Sequence, residues 1–389
     1  MNRYFNPFVL ILTSFVALTY IYAAARLTES LIAQVSLAIP FVAVWLSPIL
    51  YWQGGRQEET WLDQAFKIVS FVSIGWLSFL FLFLISRDVL LLVSIGLQLE
   101  QLQELLSGPG NAVVWGLSVL TILAGTVRAA RGPFIHEVDI PIEGLPAELD
   151  GWRIVQISDL HVGPTIRRSY VERVVQLANE QAPDLMVLTG DIVDGRVADL
   201  APHVAPLARL APQGRVYLAL GNHDYYSGAS AWTQHFETLG IHVLRNYHVI
   251  VPCKGFNVLV GGVLDPAVKL VSNHLRPDPQ LALQTRQHGP TEPAPCLKLL
   301  LAHNPKIAPE AEKAGFDLQL SGHTHAGQFF PWNLVTRWVH SPHFAGLSRQ
   351  EKMWVYVNTG TGSWGPPLRV GTLPELTVIR LRSSLTEVE

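Results

Sequence analysis

The 389-residue chain predicts two structures in series: an all-α transmembrane region of about four helices over 1–130, then a mixed α/β sandwich with two sheets. Three observations carry this. Charged residues make up 15% of the chain, below the roughly 25% of an average soluble domain. They are unevenly spread: 13 fall in 1–130 and 46 in 131–389, and all 14 histidines lie after residue 135. In the second part, short β-rich apolar runs alternate with helical patterns and then follow one another in succession.

The membrane part comes first. Four apolar tracts run at about 7–25, 31–52, 67–86 and 111–127, each near the roughly 20 residues that cross a bilayer core as a helix. Trp45, Tyr51, Trp52, Trp61 and Trp115 fall at or near tract ends, as an aromatic belt does. The first tract could instead be a signal peptide ending at Ala23-Ala24-Ala25, although its apolar run is long for one. Between the third and fourth tracts, Leu92, Ile95, Leu99, Leu102 and Leu106 recur at helical spacing. That is an amphipathic helix, lying in the interface or packed on the bundle. Arg3, Arg56, Lys67, Arg128 and Arg131 fall on one side of the four spans, and Arg26 and Arg87 on the other. The bias puts the N-terminus and everything after 128 in the cytoplasm. A crossing by 88–99 would move the second part outside. The spans hold no polar cluster that suggests a transport pathway, so they read as an anchor.

Gly132-Pro133 opens a linker over 131–150, and 151–389 is the catalytic domain. Buried strands are expected at RIVQIS (153–158), DLMVLTG (184–190) and RVYLALG (215–221), with helices at 168–181, 199–210 and 230–239. Further strands are expected at 242–251, 255–263, 296–302, 317–322, 354–360 and 375–381. The stretch 266–295 reads as a surface loop.

Five of these strands end in polar, metal-capable residues: Ser158-Asp159-Leu160-His161, Gly190-Asp191, Gly221-Asn222-His223-Asp224, Ala302-His303-Asn304 and Gly322-His323-Thr324-His325. An α/β sheet places its site at such strand ends. In DxH and HxH, an extended backbone points both side chains the same way. Asp, Asn and His without thiolate suit Mn²⁺, Fe or Zn²⁺. Seven candidates (Asp159, His161, Asp191, Asn222, His303, His323 and His325) are too many for one tetrahedral metal. They suffice for two divalent metal ions if one carboxylate bridges, and such pairs polarise a phosphoryl oxygen and supply a hydroxide nucleophile. His223, next to Asn222, could protonate a leaving oxygen, with Asp224 orienting it.

This series resembles the calcineurin-like metallophosphoesterase superfamily over roughly 150–382, and within it the membrane-anchored bacterial phosphoesterases with an N-terminal hydrophobic part, a subgroup that the ending NTGTGSWGPPLRVGTLPEL (358–376) also resembles. The resemblance implies a four-layer αββα sandwich. It implies one metal on Asp159, His161, Asp191 and His325, and a second on Asp191, Asn222, His303 and His323, with Asp191 bridging. His223 would contact the phosphate or act as general acid, paired with Asp224.

Other residues are read more openly. Arg369 in the closing loop could hold a phosphate bidentately or stand solvated. Asp265 follows a strand and could simply end it. Trp332, Trp338 and Phe344, with Phe329 and Phe330, could line an apolar approach for a lipid tail or simply pack. His203, His235, His242, His248, His274 and His288 carry no spacing signal.

The expected function is membrane-anchored hydrolysis of a phosphodiester or pyrophosphate bond, on a lipid-linked phosphate-ester substrate, at the inner face of a bacterial cell membrane. Alternatives are a nucleotide phosphodiesterase, a protein phosphatase, a non-catalytic docking module of the same fold, or a transporter or sensor with a regulatory soluble domain. A net charge of −3 without a basic stripe argues against a nucleic-acid partner. Cys253 and Cys296 form no CxxC and read as two structural thiols.

Overall fold

The computed structural model describes residues 7–52, 60–212, 214–288 and 294–384. Arg3 and Arg56, used above for topology, lie outside them. The chain divides into a helical unit, up to Ala130 with Gly365–Leu368, and a sandwich unit, Arg131–Trp364 with the residues from Arg369 onward.

The helical unit holds α1 (Pro7–Leu27), α2 (Leu31–Trp52), α3 (Trp61–Gly96), α4 (Glu100–Ser107) and α5 (Pro109–Arg131). All but α4 are long and apolar enough to cross a membrane. Their shared core includes Ala23, Leu37, Phe41, Leu77, Leu80, Leu84 and Val114. Thr60 starts α3 with a capping box: its hydroxyl accepts from the Asp63 amide, and its own amide donates to the Asp63 carboxylate at 2.9 Å. The amphipathic helix expected over 88–106 is not one element. Its first half continues α3, which at 36 residues is roughly 54 Å long. Its second half is α4, none of whose residues is buried. At the Arg26 end of α1, Asp88 accepts from Arg26 at 2.8 Å and from the Tyr22 hydroxyl at 2.7 Å.

The sandwich unit runs β1 (Phe134–Glu143), β2 (Arg153–Ile157), α6 (Arg168–Glu180), β3 (Leu185–Leu188), α7 (Val197–Val204), β4 (Val216–Leu218), α8 (Asn222–Tyr226), α9 (Ala229–Thr238), β5 (His242–Val243), β6 (Tyr247–Cys253) and β7 (Phe256–Gly262). It continues with α10 (Pro279–Gln284), β8 (Arg286–His288), β9 (Leu297–Leu301), α11 (Ala308–Ala314), β10 (Leu318–Ser321), α12 (Trp332–His340), β11 (Gly346–Gln350), β12 (Met353–Val357) and β13 (Glu375–Ser384). One sheet has the order β1-β13-β2-β3-β4-β5 and the other β11-β12-β10-β9-β7-β6-β8. Strands β2 to β5 pair in parallel, as do β7, β9, β10 and β12.

Three apolar layers make this a four-layer αββα sandwich. Ile154, Val187, Leu299 and Leu320 fill the space between the sheets. Val171, Val174, Val175 and Ala178, one face of α6, pack outside the first sheet with Trp232 and Phe236 of α9. Ala308 and Ala311 of α11 cover the second. Every residue of β3 is buried, as expected of a parallel strand covered on both faces.

Two expectations about the borders are corrected. The segment 131–150 is not a linker: β1 pairs in parallel with β13 along ten residues, and Ile140 and Ile142 enter the inter-sheet core. A run with alternating burial on a sheet edge looks polar in sequence, which hid it. The stretch 266–295 is not plain loop either, since α10 and β8 lie in it.

Candidate metal centre

Parallel strands bring the site residues together. β2, β3 and β4 of one sheet and β9 and β10 of the other bring their carboxyl ends together, and two to four residues past each end stand Asp159, Asp191, Asn222, His303 and His323. The extended backbone expected for DxH and HxH is absent. Asp159, His161, Asp191, His323 and His325 all have φ between 49° and 74°, in the left-handed region. Non-glycine residues rarely hold that conformation unless the surroundings impose it, and such strain concentrates at functional sites. Two glycines allow the resulting close approach. A Cβ at Gly322 would lie 2.1 Å from Asp159 Oδ2, and one at Gly221 2.2 Å from Asp191 Oδ1.

Three clusters form, each with ligand atoms within 4.8 Å of one another: Asp159, His161 and His325; Asp191, His303 and His323; and His161, Asp194 and His223. His325 Nε2 is 3.3 Å from Asp159 Oδ1 and 3.0 Å from His161 Nε2. Asp191 Oδ2 lies 3.2 Å from His303 Nε2 and 3.8 Å from His161 Nε2, so this carboxylate stands between the first two clusters. Asn222 Oδ1 is 3.2 Å from His303 Nε2 and 3.0 Å from His323 Nδ1. His303 Nδ1 lies 2.7 Å from the Thr189 carbonyl, to which it can only donate, and this leaves Nε2 facing Asp191. All seven sequence candidates are therefore in one place.

The surroundings fix the charges. Burial pushes the Asp159 carboxyl up, but His325, His303 and His161 outweigh it and hold it well below the usual carboxylate range. Asp191 is likewise buried, yet His303, His223 and His161 bring it down to about 2. Burial disfavours a charged His161, but Asp194, Asp191 and Asp159 raise it to about 9. Burial and the neighbouring His303 take His323 down to about 3. Ionised carboxylates set among imidazole nitrogens and an amide oxygen, without thiolate, fit divalent cations of the Mn²⁺, Fe or Zn²⁺ kind. Imidazole nitrogens aimed at each other at 3.0 Å also suit ligands converging on a cation better than groups in a packed core.

Two expected pairings do not form. Asp224 does not touch the His223 ring. Its carboxylate turns inward and accepts the backbone amides of Ile192, Val193 and Gly221 at 2.9–3.2 Å, stitching the β3 loop to α8. Burial and Asp191 push its carboxyl up to about 7, against those three donors. The ring partner of His223 is Asp194, missed in the sequence although it stands three residues after Asp191. Asp194 Oδ1 lies 2.7 Å from His223 Nδ1 and 3.0 Å from His161 Nδ1. Arg369 is neither solvated nor open to a phosphate. It is fully buried and donates to the carbonyls of His325, Thr359, Gly360 and Gly362 at 2.6–3.1 Å. A buried guanidinium surrounded by loop carbonyls shapes the closing loop. Asp265 ends its strand as a cap, accepting from the Ala267 amide at 2.8 Å.

Aromatic residues stand beside His223. Its ring meets Tyr226 at 5.3 Å and Trp364 at 5.8 Å between centroids, both edge to face. The Gln328 side chain holds Trp364 through its amide and carbonyl at 2.8 and 2.9 Å. No spacing signal marks Trp364, which lies 141 residues from His223.

A family model described as calcineurin-like phosphoesterase matches residues 153–327. A "transmembrane protein with metallophosphoesterase domain" of Danio rerio is 36% identical over 287 residues, covering 72% of this chain and 64% of that protein. Its Bos taurus namesake is 33% identical over 298 residues, covering 74% and 65%. An uncharacterized metallophosphoesterase of Campylobacter jejuni is 30% identical over 277 residues, covering 68% of each chain. The chain thus spans slightly under two thirds of the first two relatives.

Proposed function

This chain belongs to the calcineurin-like phosphoesterase family, and we propose that it is a membrane-anchored hydrolase of phosphodiester or pyrophosphate bonds on a lipid-linked substrate. The observation that carries the reading is the convergence of the Asp159 and Asp191 clusters where strand ends of the two sheets meet, with Asp191 between them. Asp159, His161, Asp191 and His325 would hold one divalent ion, and Asp191, Asn222, His303 and His323 the other. Bound there, the pair polarises phosphoryl oxygens and supplies the hydroxide nucleophile.

The chain's own residues do the rest. Asp194 accepts from His223 Nδ1 and so leaves Nε2 to pass a proton to the leaving oxygen. Asp194 also lies 3.0 Å from His161 Nδ1, a hydrogen bond that would fix the imidazole with Nε2 turned to a metal. The rings of His161 and His223 lie 4.8 Å apart, so the proposed proton donor stands beside the residues that would hold the first metal. The lipid-linked class rests on the four apolar helices, which would anchor the chain that carries the site in a bilayer. The basic-residue bias supports a site on the cytoplasmic side of the membrane, which in this reading is a bacterial inner membrane.

The test is hydrolysis of bis-p-nitrophenyl phosphate and of p-nitrophenyl phosphate by the detergent-purified chain reloaded with Mn²⁺. Metal-dependent turnover of the diester, collapsing in His223→Ala, is expected. Turnover of the monoester alone would overturn the diester assignment, and a chain that binds no metal would favour the docking-module reading.

A further inference from the structure

Helix α12 is amphipathic the wrong way round for a water-soluble surface. Asn333, Thr336 and His340 occupy its half-buried side, and the His340 ring meets the His323 ring edge to face at 5.3 Å. Leu334, Val335, Trp338 and Val339 make up the opposite face and are 58%, 51%, 83% and 43% exposed. No residue of α12 is buried. A soluble protein turns the apolar face of such a helix inward, and a contiguous exposed apolar patch marks a binding surface.

We propose that α12 lies in the interface of the membrane that anchors the chain, with Leu334, Val335, Trp338 and Val339 seated at the boundary between headgroups and acyl chains. Two features select lipid over a protein partner. The chain carries four helices fit to cross a bilayer, and only Gly132 and Pro133 separate α5 from β1, so the linker joining the sandwich to the last of these helices is two residues long. The helix also carries Arg337 and no acidic residue, which complements anionic headgroups. A tryptophan on the apolar face suits the interfacial layer. Because His340 on the opposite side of α12 meets His323, seating the helix would bring the His323 side of the metal centre toward the headgroups. That consequence rests on the hydrolase reading, whereas the seating does not.

A nitroxide at Trp338→Cys in the full chain, reconstituted in phosphatidylcholine vesicles containing one part in three phosphatidylglycerol, tests this. The wild-type chain, with Cys253 buried and Cys296 half-buried, gives the labelling background. The label is expected roughly 5–10 Å below the lipid phosphates, open to oxygen and closed to a water-soluble nickel chelate. A label at exposed Lys352→Cys should report water, and one at Val335→Cys should repeat the result of 338. Equal nickel accessibility at 338 and 352 overturns the proposal. So does a 338 label shielded from both probes with spin–spin broadening, which would mean a second copy covers the helix. Hydrolysis of bis-p-nitrophenyl phosphate by the same samples is scored separately, so an inactive enzyme with a seated helix sinks only the hydrolase reading.

Discussion

Oδ1 of Asp194 lies 2.7 Å from Nδ1 of His223, and the same oxygen lies 3.0 Å from Nδ1 of His161. In the proposed mechanism, one carboxylate would thus serve both the proton-donating histidine and a metal-holding histidine. His223→Ala should lower diester turnover by about 10²-fold or more and leave metal content intact. Asp194→Ala should lower turnover comparably and weaken metal affinity by about 10–100-fold as well. The double variant should be no slower than the worse single one. Kinetics alongside metal analysis checks this, and full multiplicative loss in the double variant would separate the two residues.

The glycines of the motifs are expected to act through space alone. Gly322→Ala places a carbon 2.1 Å from Asp159 Oδ2 and 2.0 Å from Ser158 Oγ, all buried, so the ligand must move. Metal content of the purified variant should fall sharply, while Gly116→Ala, with nothing within 4 Å, should match the wild type. Normal metal content in Gly322→Ala would contradict the close approach.

Arg369 is predicted to matter for stability rather than for phosphate binding. Arg369→Lys cannot reach four carbonyls from one ammonium, and each carbonyl left buried without a donor costs about 1–3 kcal/mol. The thermal inactivation midpoint should drop by roughly 4–24 °C for two such losses. The KM for bis-p-nitrophenyl phosphate should stay near the wild-type value in the fraction that survives. A large rise in KM at unchanged midpoint would return Arg369 to the phosphate.

These outcomes also show where the sequence was legible. Asp159, His161, Asp191, Asn222, His303, His323 and His325 could be found because each stands just past an apolar run that is itself a buried parallel strand, so pattern and placement coincide. The apolar tracts were legible for the same reason, since a bilayer demands an unbroken run. Partners were harder. Asp224 is adjacent to His223 in sequence, but the first turn of α8 carries its carboxylate back to the Gly221 amide. Asp194 reaches His223 only because the β3 loop passes beside α8, which no spacing encodes. Edge strand β1 escaped notice because one of its faces is open and its charged residues dilute the pattern. The apolar residues of α12 were visible, but only the fold shows which way they point.

A pair of metals serving one phosphoryl centre can be tested by titration. The metal-stripped full chain in detergent is loaded stepwise with Mn²⁺ while bound metal per chain and the initial rate of bis-p-nitrophenyl phosphate hydrolysis are recorded together. The account predicts a rate that rises with the second equivalent and levels off at two ions per chain, and an Asp191→Asn variant that holds fewer ions and turns over little. A rate that levels off at one ion, or two bound ions with no hydrolysis of any phosphoester offered, would contradict it.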